Sequence, residues 1–412
     1  MPYALGAFEQ SDASTRRYRR HSIGARTSHD IVYVDRVEGL DKVADALDGA
    51  EFIAIDTESN SLHVYREQVC FVQICVGDDV FIIDTVAIRN LDSLRKPLSD
   101  PDSLKLLHGA DYDVVCMKRD FDIGIEPIFD TMIAAQILGY EQLGLGSLAE
   151  KHCGVTLDKT LSRYDWGKRP LEDRYLPYLV EDVVHLETLY DILDHALSRA
   201  DHLEAADIEF DRVALQEWSG RDAEVDPEGF RRIKGARDLD HKGLAVLKEL
   251  YLLREELSEE ANRPPFKVLG NAQLLDIAAR RPHGPGDLRR IQGFPDRLLR
   301  RLGREITGCV DRGSRNYQDV PKRLPAPPRP PEVQLAINDG LRKWRRGIVQ
   351  ELEVPSLVVL PNHVVEKIAA RRPKTLEELA DVPGLGEKRL RLYGDAILRI
   401  VAKPPPIQRR RY

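Results

Sequence analysis

Apolar residues in the first two hundred positions fall in short, dense runs rich in Val, Ile and Phe. The segments "EFIAIDTES" (51–59), "VCFVQICVG" (69–77), "DVFIIDT" (79–85) and "LKLLHGA" (104–110) predict strands. The first three follow one another closely enough for a meander. "TMIAAQILGY" (131–140) and "YLVEDVVHLETLYDIL" (178–193) carry helical spacing instead. A mixed sheet flanked by helices follows from this alternation. Beyond residue 235 only helical patterns remain, interrupted by the proline-rich "LPAPPRPPE" at 324–332.

The helical half repeats itself. "NAQLLDIAARRP" starts at Asn271 and "NHVVEKIAARRP" at Asn362, an offset of 91. Each copy is followed by a glycine-containing turn that opens a basic helix, so two copies of one helical module are expected. The predicted order is a flexible basic arm (1–29), an α/β domain (30–200), a helical connector (201–235), a first helical module (236–315), a proline-rich linker (316–330), a second module (331–404) and a basic tail (405–412).

Charge sharpens this division. The 412-residue chain has a net charge of −7. Residues 1–230 hold 23 Lys and Arg against 45 Asp and Glu, a net −22, while residues 231–412 hold 38 against 23, a net +15. An acidic half suits cations and a basic half suits a polyanion. No apolar run reaches membrane-spanning length and no signal-peptide pattern opens the chain. The five cysteines form no CxxC pair, so a reducing cytoplasm is expected rather than a disulfide framework; a monomer with no membrane association is the accompanying expectation.

The acidic half holds a specific pattern. Asp56 and Glu58 end an apolar strand two positions apart, so both point to one face. Two buried like charges are costly without a cation between them. In "HGADYDVVCMKR" Asp111 is expected to cap a helix, with Asp113 in its first turn. Tyr178 and Asp182, four apart, are expected on one helix face. Asp130 reads as the cap of the helix that follows it. Carboxylates without His or Cys favour hard cations such as Mg²⁺ or Mn²⁺. Two such ions about 4 Å apart clamp a phosphodiester.

With these residues in place, the sequence resembles the ribonuclease D branch of the DEDD 3′–5′ exonucleases, in its tyrosine subclass. Asp56-Thr57-Glu58 matches the first motif, Asp113 the second, and Tyr178 with Asp182 the third. "DWGKRPL" (165–171) resembles the segment that precedes the third motif in the family. Tyr175 and Pro177 depart from the pattern; Pro177 is accommodated if it lies in the first turn of its helix. The repeats resemble HRDC domains, the first through "REELSEEANRPPFKVLGNAQLLDIA" (254–278). The resemblance implies a ribonuclease-H-like α/β exonuclease domain followed by two all-α HRDC-like domains. It also implies removal of nucleoside 5′-monophosphates from RNA 3′ ends, with tRNA precursors and structured RNAs as substrates. Asp56, Glu58 and Asp182 would bind one of two divalent metal ions. Asp56 would bridge to the second ion with support from Asp113, and Tyr178 would orient water.

In the basic half, Arg289, Arg290, Arg297, Arg300 and Arg301, with Lys343, Trp344, Lys388 and Arg389, are the candidate nucleic-acid contacts. A solvated charged face competes with this reading, and a core role competes for Trp344. Two other functions fit less of the pattern: a DNA 3′–5′ exonuclease of the same fold, and a non-catalytic RNA-binding scaffold.

Overall fold

The computed structural model describes residues 16–19, 29–218, 225–291, 294, 296–324 and 329–406. The rest of the basic arm, part of the proline-rich linker and most of the basic tail lie outside the described residues.

Among the described residues seven strands form one sheet: β1 (Arg16–Arg19), β2 (Asp30–Val34), β3 (Phe52–Ser59), β4 (Val69–Val76), β5 (Asp79–Asp84), β6 (Leu104–Leu107) and β7 (Ile128–Asp130). Their order is β1-β2-β5-β4-β3-β6-β7. β3, β4 and β5 run antiparallel as the expected meander. β6 and β7 extend the sheet in parallel from β3. A central strand with both faces covered must be apolar throughout, and Ile53, Ala54 and Ile55 are buried accordingly. Asp56 lies opposite Gln73 and Glu58 opposite Phe71, and the register shifts just after Glu58. The shift re-aims the strand end where the carboxylates stand.

The helix Leu186–Arg199 packs on this sheet through Leu186, Leu189, Leu193 and Leu197, all fully buried at helical spacing. Each such burial contributes about 2 kcal/mol. The single helix expected over 178–193 is two. Leu176–Glu181 ends before Asp182, and residues 182–185 form a turn. The N–H groups of Val183 and Val184 both reach the Val180 carbonyl, at 3.3 and 3.2 Å, so the spiral tightens there. Two consecutive β-branched residues favour such a stop. Pro177 occupies the first turn of the shorter helix, where its missing N–H is harmless.

The described chain divides into two compact units. One comprises residues up to 59, 69–218 and from 329 onward; the other comprises 60–68 and 219–328. In the second unit, the segment 60–68 joins the first helical repeat: the Tyr65 hydroxyl donates to Glu255 at 3.1 Å and Arg66 pairs with Glu259 at 2.6 Å.

The two repeats share one construction. His241–Glu260, Pro265–Val268, Asn271–Arg280, Pro285–Leu288 and Asp296–Arg315 correspond in order to Glu332–Leu352, Ser356–Val359, Asn362–Arg371, Leu376–Ala380 and Glu387–Ala402. Arg254 donates to Asn271 at 2.7 Å and to the Leu269 carbonyl at 3.5 Å. At the 91-residue offset, Arg345 donates to Asn362 at 2.9 Å and to the Leu360 carbonyl at 2.6 Å. The same guanidinium clamp therefore fixes the same helix start in both copies. Among the described residues no helix is long and apolar enough to cross a membrane.

Candidate active site

Three structural elements bring the acidic residues together. β3 supplies Asp56 and Glu58 from one face of its end. The turn after Leu176–Glu181 supplies Asp182. One carboxylate oxygen each from Asp56, Glu58 and Asp182 lies within 4.8 Å of the others. Asp113 comes from the first turn of the helix Asp111–Phe121 and is buried. Thr57, between the two strand carboxylates, donates its hydroxyl to Asp113 at 2.5 Å. The motif's middle residue thus ties the strand to the second acidic helix.

Asp111 does not cap that helix. The N-cap is Ala110, with no side-chain cap, and Asp111 is the first helical residue. Its exposed carboxylate accepts from the Gln216 amide at 2.6 Å instead. Asp130 is the cap that orders this region. Its carboxylate accepts from Met132 and Ile133 at the start of Thr131–Ile137, and from the backbone of Gly109 and Ala110 at 3.0 and 2.8 Å. One buried carboxylate therefore anchors two chain turns.

The electrostatics follow from crowding. Burial, then Asp182, Asp113 and Glu58 in turn, hold Asp56 well above the usual carboxylate range. Burial and the charges of Asp182 and Asp113 push Glu58 up to about 9. Burial raises Asp113 to about 7. Burial, with Glu181 and Asp113, raises Asp182 to about 7. Burial and the carboxylates of Asp182, Glu58 and Asp56 also raise Tyr178, so its hydroxyl keeps its proton at neutral pH. Every neighbouring charge named here is negative. Ionising the cluster requires a cation, and an all-oxygen donor set fits a hard divalent one.

The basic candidates separate into two groups. Arg289, Arg290, Arg297, Arg300 and Arg301 are exposed, with Arg290 paired to Asp287 at 3.4 Å. Lys343 is exposed as well. Trp344 is half-buried and meets Tyr393 edge-on, with ring centroids 5.4 Å apart, which is a packing role. Lys388 pairs with Asp201 at 2.6 Å. Arg389 is buried and donates to the carbonyls of Leu357, Val358, Gly384 and Leu385 at 2.7, 3.0, 3.1 and 3.3 Å. Arg389 is thus corrected from a polyanion contact to an internal strut, because its donors are engaged by backbone carbonyls, while the ammonium of Lys388 faces the exposed Asp201. Sequence reasoning missed Thr57, and it missed the bidentate pairing of Arg169 with Asp84 at 2.5 and 2.6 Å. The only sequence signal for that pair was the presence of Arg169 in "DWGKRPL".

Known proteins carry the same organisation. The 3′–5′ exonuclease family matches residues 31–198, and the HRDC domain matches twice, at 243–310 and 334–401. A ribonuclease D from Pseudomonas paraeruginosa is 31% identical over 319 residues, which is 77% of this chain and 82% of the relative. The chain belongs to the ribonuclease D family. It is a 3′–5′ exoribonuclease with an α/β exonuclease domain and a helical HRDC region, as the resemblance of its acidic motifs and repeats implied. A ribonuclease D from Gluconacetobacter diazotrophicus is 28% identical over 397 residues, covering 91% of this chain and 95% of the relative. The catalytic core of RRP6 from Trypanosoma brucei superposes with a TM-score of 0.61 at 26% identity, over 68% of this chain and 79% of that one. Escherichia coli RNase D shares the fold at a TM-score of 0.63 and 23% identity, over 90% of this chain and 99% of its own.

Proposed function

We propose that this exoribonuclease trims the 3′ ends of tRNA precursors and other structured RNAs in the cytoplasm, acting as a monomer with two Mg²⁺ or Mn²⁺ ions. The observation that carries the reading is the approach of the Asp56, Glu58 and Asp182 carboxylates within 4.8 Å. These three would hold one ion, and Asp56 with Asp113 would hold the other. The ions, when bound, supply Lewis-acid stabilisation to the phosphodiester and its leaving oxygen. Tyr178 stays protonated and positions the attacking water by hydrogen bonding. Thr57 holds Asp113 against the strand. The exposed arginines of 289–301 contact phosphates along the RNA, while the second repeat offers Lys343. The domain limits are those read from the sequence, with the exonuclease domain at 30–200 and the HRDC domains at 236–315 and 331–404.

The test uses end-labelled RNA and DNA of matched sequence, with and without divalent metal. A ladder shortening from the RNA 3′ end and releasing nucleoside 5′-monophosphates is expected, with DNA degraded more slowly. Equal rates on DNA would move the assignment to a general 3′–5′ exonuclease.

Two further outcomes probe the parts. Asp113→Ala should stop turnover, whereas Asp111→Ala removes only an exposed partner of Gln216 and should change stability by less than about 1 kcal/mol. Thermal melts beside turnover decide this, and the reverse pattern would misplace the second motif. Neutralising Arg297, Arg300 and Arg301 together should leave turnover on a short oligonucleotide intact. It should lower the salt slope of long-RNA affinity by roughly 0.7 to 0.9 per lost contact. An unchanged slope would remove these arginines from the RNA path.

A further inference from the structure

We propose that Arg169, fixed by Asp84, is a positioning residue for Tyr178 and acts through the indole of Trp166. The inference rests on the reading of Tyr178 as the group that positions water.

Residues 154–172 connect the helix Leu145–Cys153 to the short turn Asp173–Tyr175 without a helix or strand of their own. A connection of this length inside a compact domain needs side chains to hold it. Arg169 supplies the hold. Its Nε donates to Asp84 Oδ2 at 2.5 Å and its Nη2 to Oδ1 at 2.6 Å. Nη2 also reaches the Cys70 carbonyl at 2.9 Å, and Nη1 the carbonyls of Trp166 at 2.6 Å and Lys168 at 2.8 Å. One guanidinium thus ties the loop to β4 and β5. Asp84 is fixed in turn by the Tyr33 hydroxyl at 2.7 Å and by the N–H groups of Val86 and Ala87 at 3.0 and 3.1 Å.

The aromatic contacts carry this anchorage to the site. The guanidinium lies over Phe71, 4.2 Å from the ring centroid, and Phe71 stands opposite Glu58 in the sheet. Trp166 meets Phe71 edge-on at 6.0 Å and lies against Tyr178 at 5.6 Å. Trp166 is only 1% exposed, and among the described residues its indole N–H finds no hydrogen-bond partner. Ring packing and its carbonyl, held by Arg169, therefore set its place. Two of its ring neighbours, Phe71 and Tyr178, link the clamp to the catalytic face. A bidentate fork fixes direction as well as distance, which lysine cannot reproduce.

A purely structural strut would give a different result from a positioning one. Turnover, KM, RNA affinity in chelator and melting temperature are measured on the full chain carrying Arg169→Lys, Tyr178→Phe, and both. Arg169→Lys should lower kcat at least about tenfold, as small misplacements of a reacting group do. RNA affinity should stay within about twofold, and in the Tyr178→Phe background the same change should cost less than about twofold more. Unchanged kcat in Arg169→Lys overturns the proposal. So does an equal loss in both backgrounds, because Arg169 would then act independently of Tyr178. Full turnover in Tyr178→Phe alone would remove the water-positioning role itself, and that single variant shows it separately. If Arg169→Lys does not fold, Trp166→Phe takes its place with the same expected values and the same overturning outcomes.

Discussion

Asp56→Asn will abolish exonucleolytic turnover while leaving the domain folded. The side chain keeps its size and loses its charge, and the two other carboxylates of the cluster then lack the partner that sits within 4.8 Å of both. A divalent ion held by fewer charges binds weakly, and the transition state loses its electrostatic support. The loss in kcat/KM should be at least about a thousandfold, the upper range for removing one preorganised electrostatic group. Stability should move the other way. Burial, Asp182, Asp113 and Glu58 disfavour the ionised form of Asp56 in the metal-depleted fold, a cost that the neutral amide does not carry. A melting temperature in chelator equal to or above that of the unsubstituted chain, together with lost turnover, is the expected pair of results. Retained turnover would end the metal-site reading. Lost turnover with a collapsed melting temperature would make Asp56 a structural residue.

The strands were legible because their apolar runs are short and rich in β-branched residues, and β3, β4 and β5 lie where those runs lie. The repeat was legible because "IAARRP" recurs in matched context, and both copies use one guanidinium clamp. The helix over 178–193 was not legible as two. Apolar spacing continues across Asp182, and only the hydrogen bonding reveals that the spiral tightens there. Asp111 misled for a similar reason. An acidic residue before an apolar helical run resembles a cap, yet the chain enters the helix one residue earlier, and Asp130, distant in sequence, orders the turn. Arg389 misled because charge in a sequence carries no burial. Four backbone carbonyls converge on it only after folding. The carboxylates of β3 were readable from period-two alternation. Their approach to Asp182 joins positions more than a hundred residues apart, so periodicity is silent on it and only the motif resemblance pointed to it.

Metal removal joins activity to stability. In chelator turnover should vanish, and Mg²⁺ or Mn²⁺ should restore it. The pH dependence of the metal-depleted fold gives a second readout. Glu58 is raised to about 9, and Asp113 and Asp182 to about 7, against roughly 4 for carboxylates in an unfolded chain. Between about pH 4 and 9 these three carboxylates therefore bind more protons in the folded protein than in the unfolded one. Their contribution to unfolding free energy falls with pH wherever that holds, so the cluster destabilises the metal-depleted protein progressively as pH rises. The summed loss should be on the order of several kcal/mol by pH 9, or roughly 10 °C in melting temperature. A bound cation replaces those protons. Stabilisation by added Mg²⁺ should therefore grow from pH 5 to pH 9, and turnover at limiting metal should rise through about pH 7. Melting curves in chelator and in Mg²⁺ across this range, repeated with Asp56→Asn, make the comparison. The substituted chain should show a flatter pH dependence and little response to Mg²⁺. A melting temperature that climbs with pH in chelator would mean that the cluster ionises without a metal, and the argument from carboxylate crowding to a cation would fail.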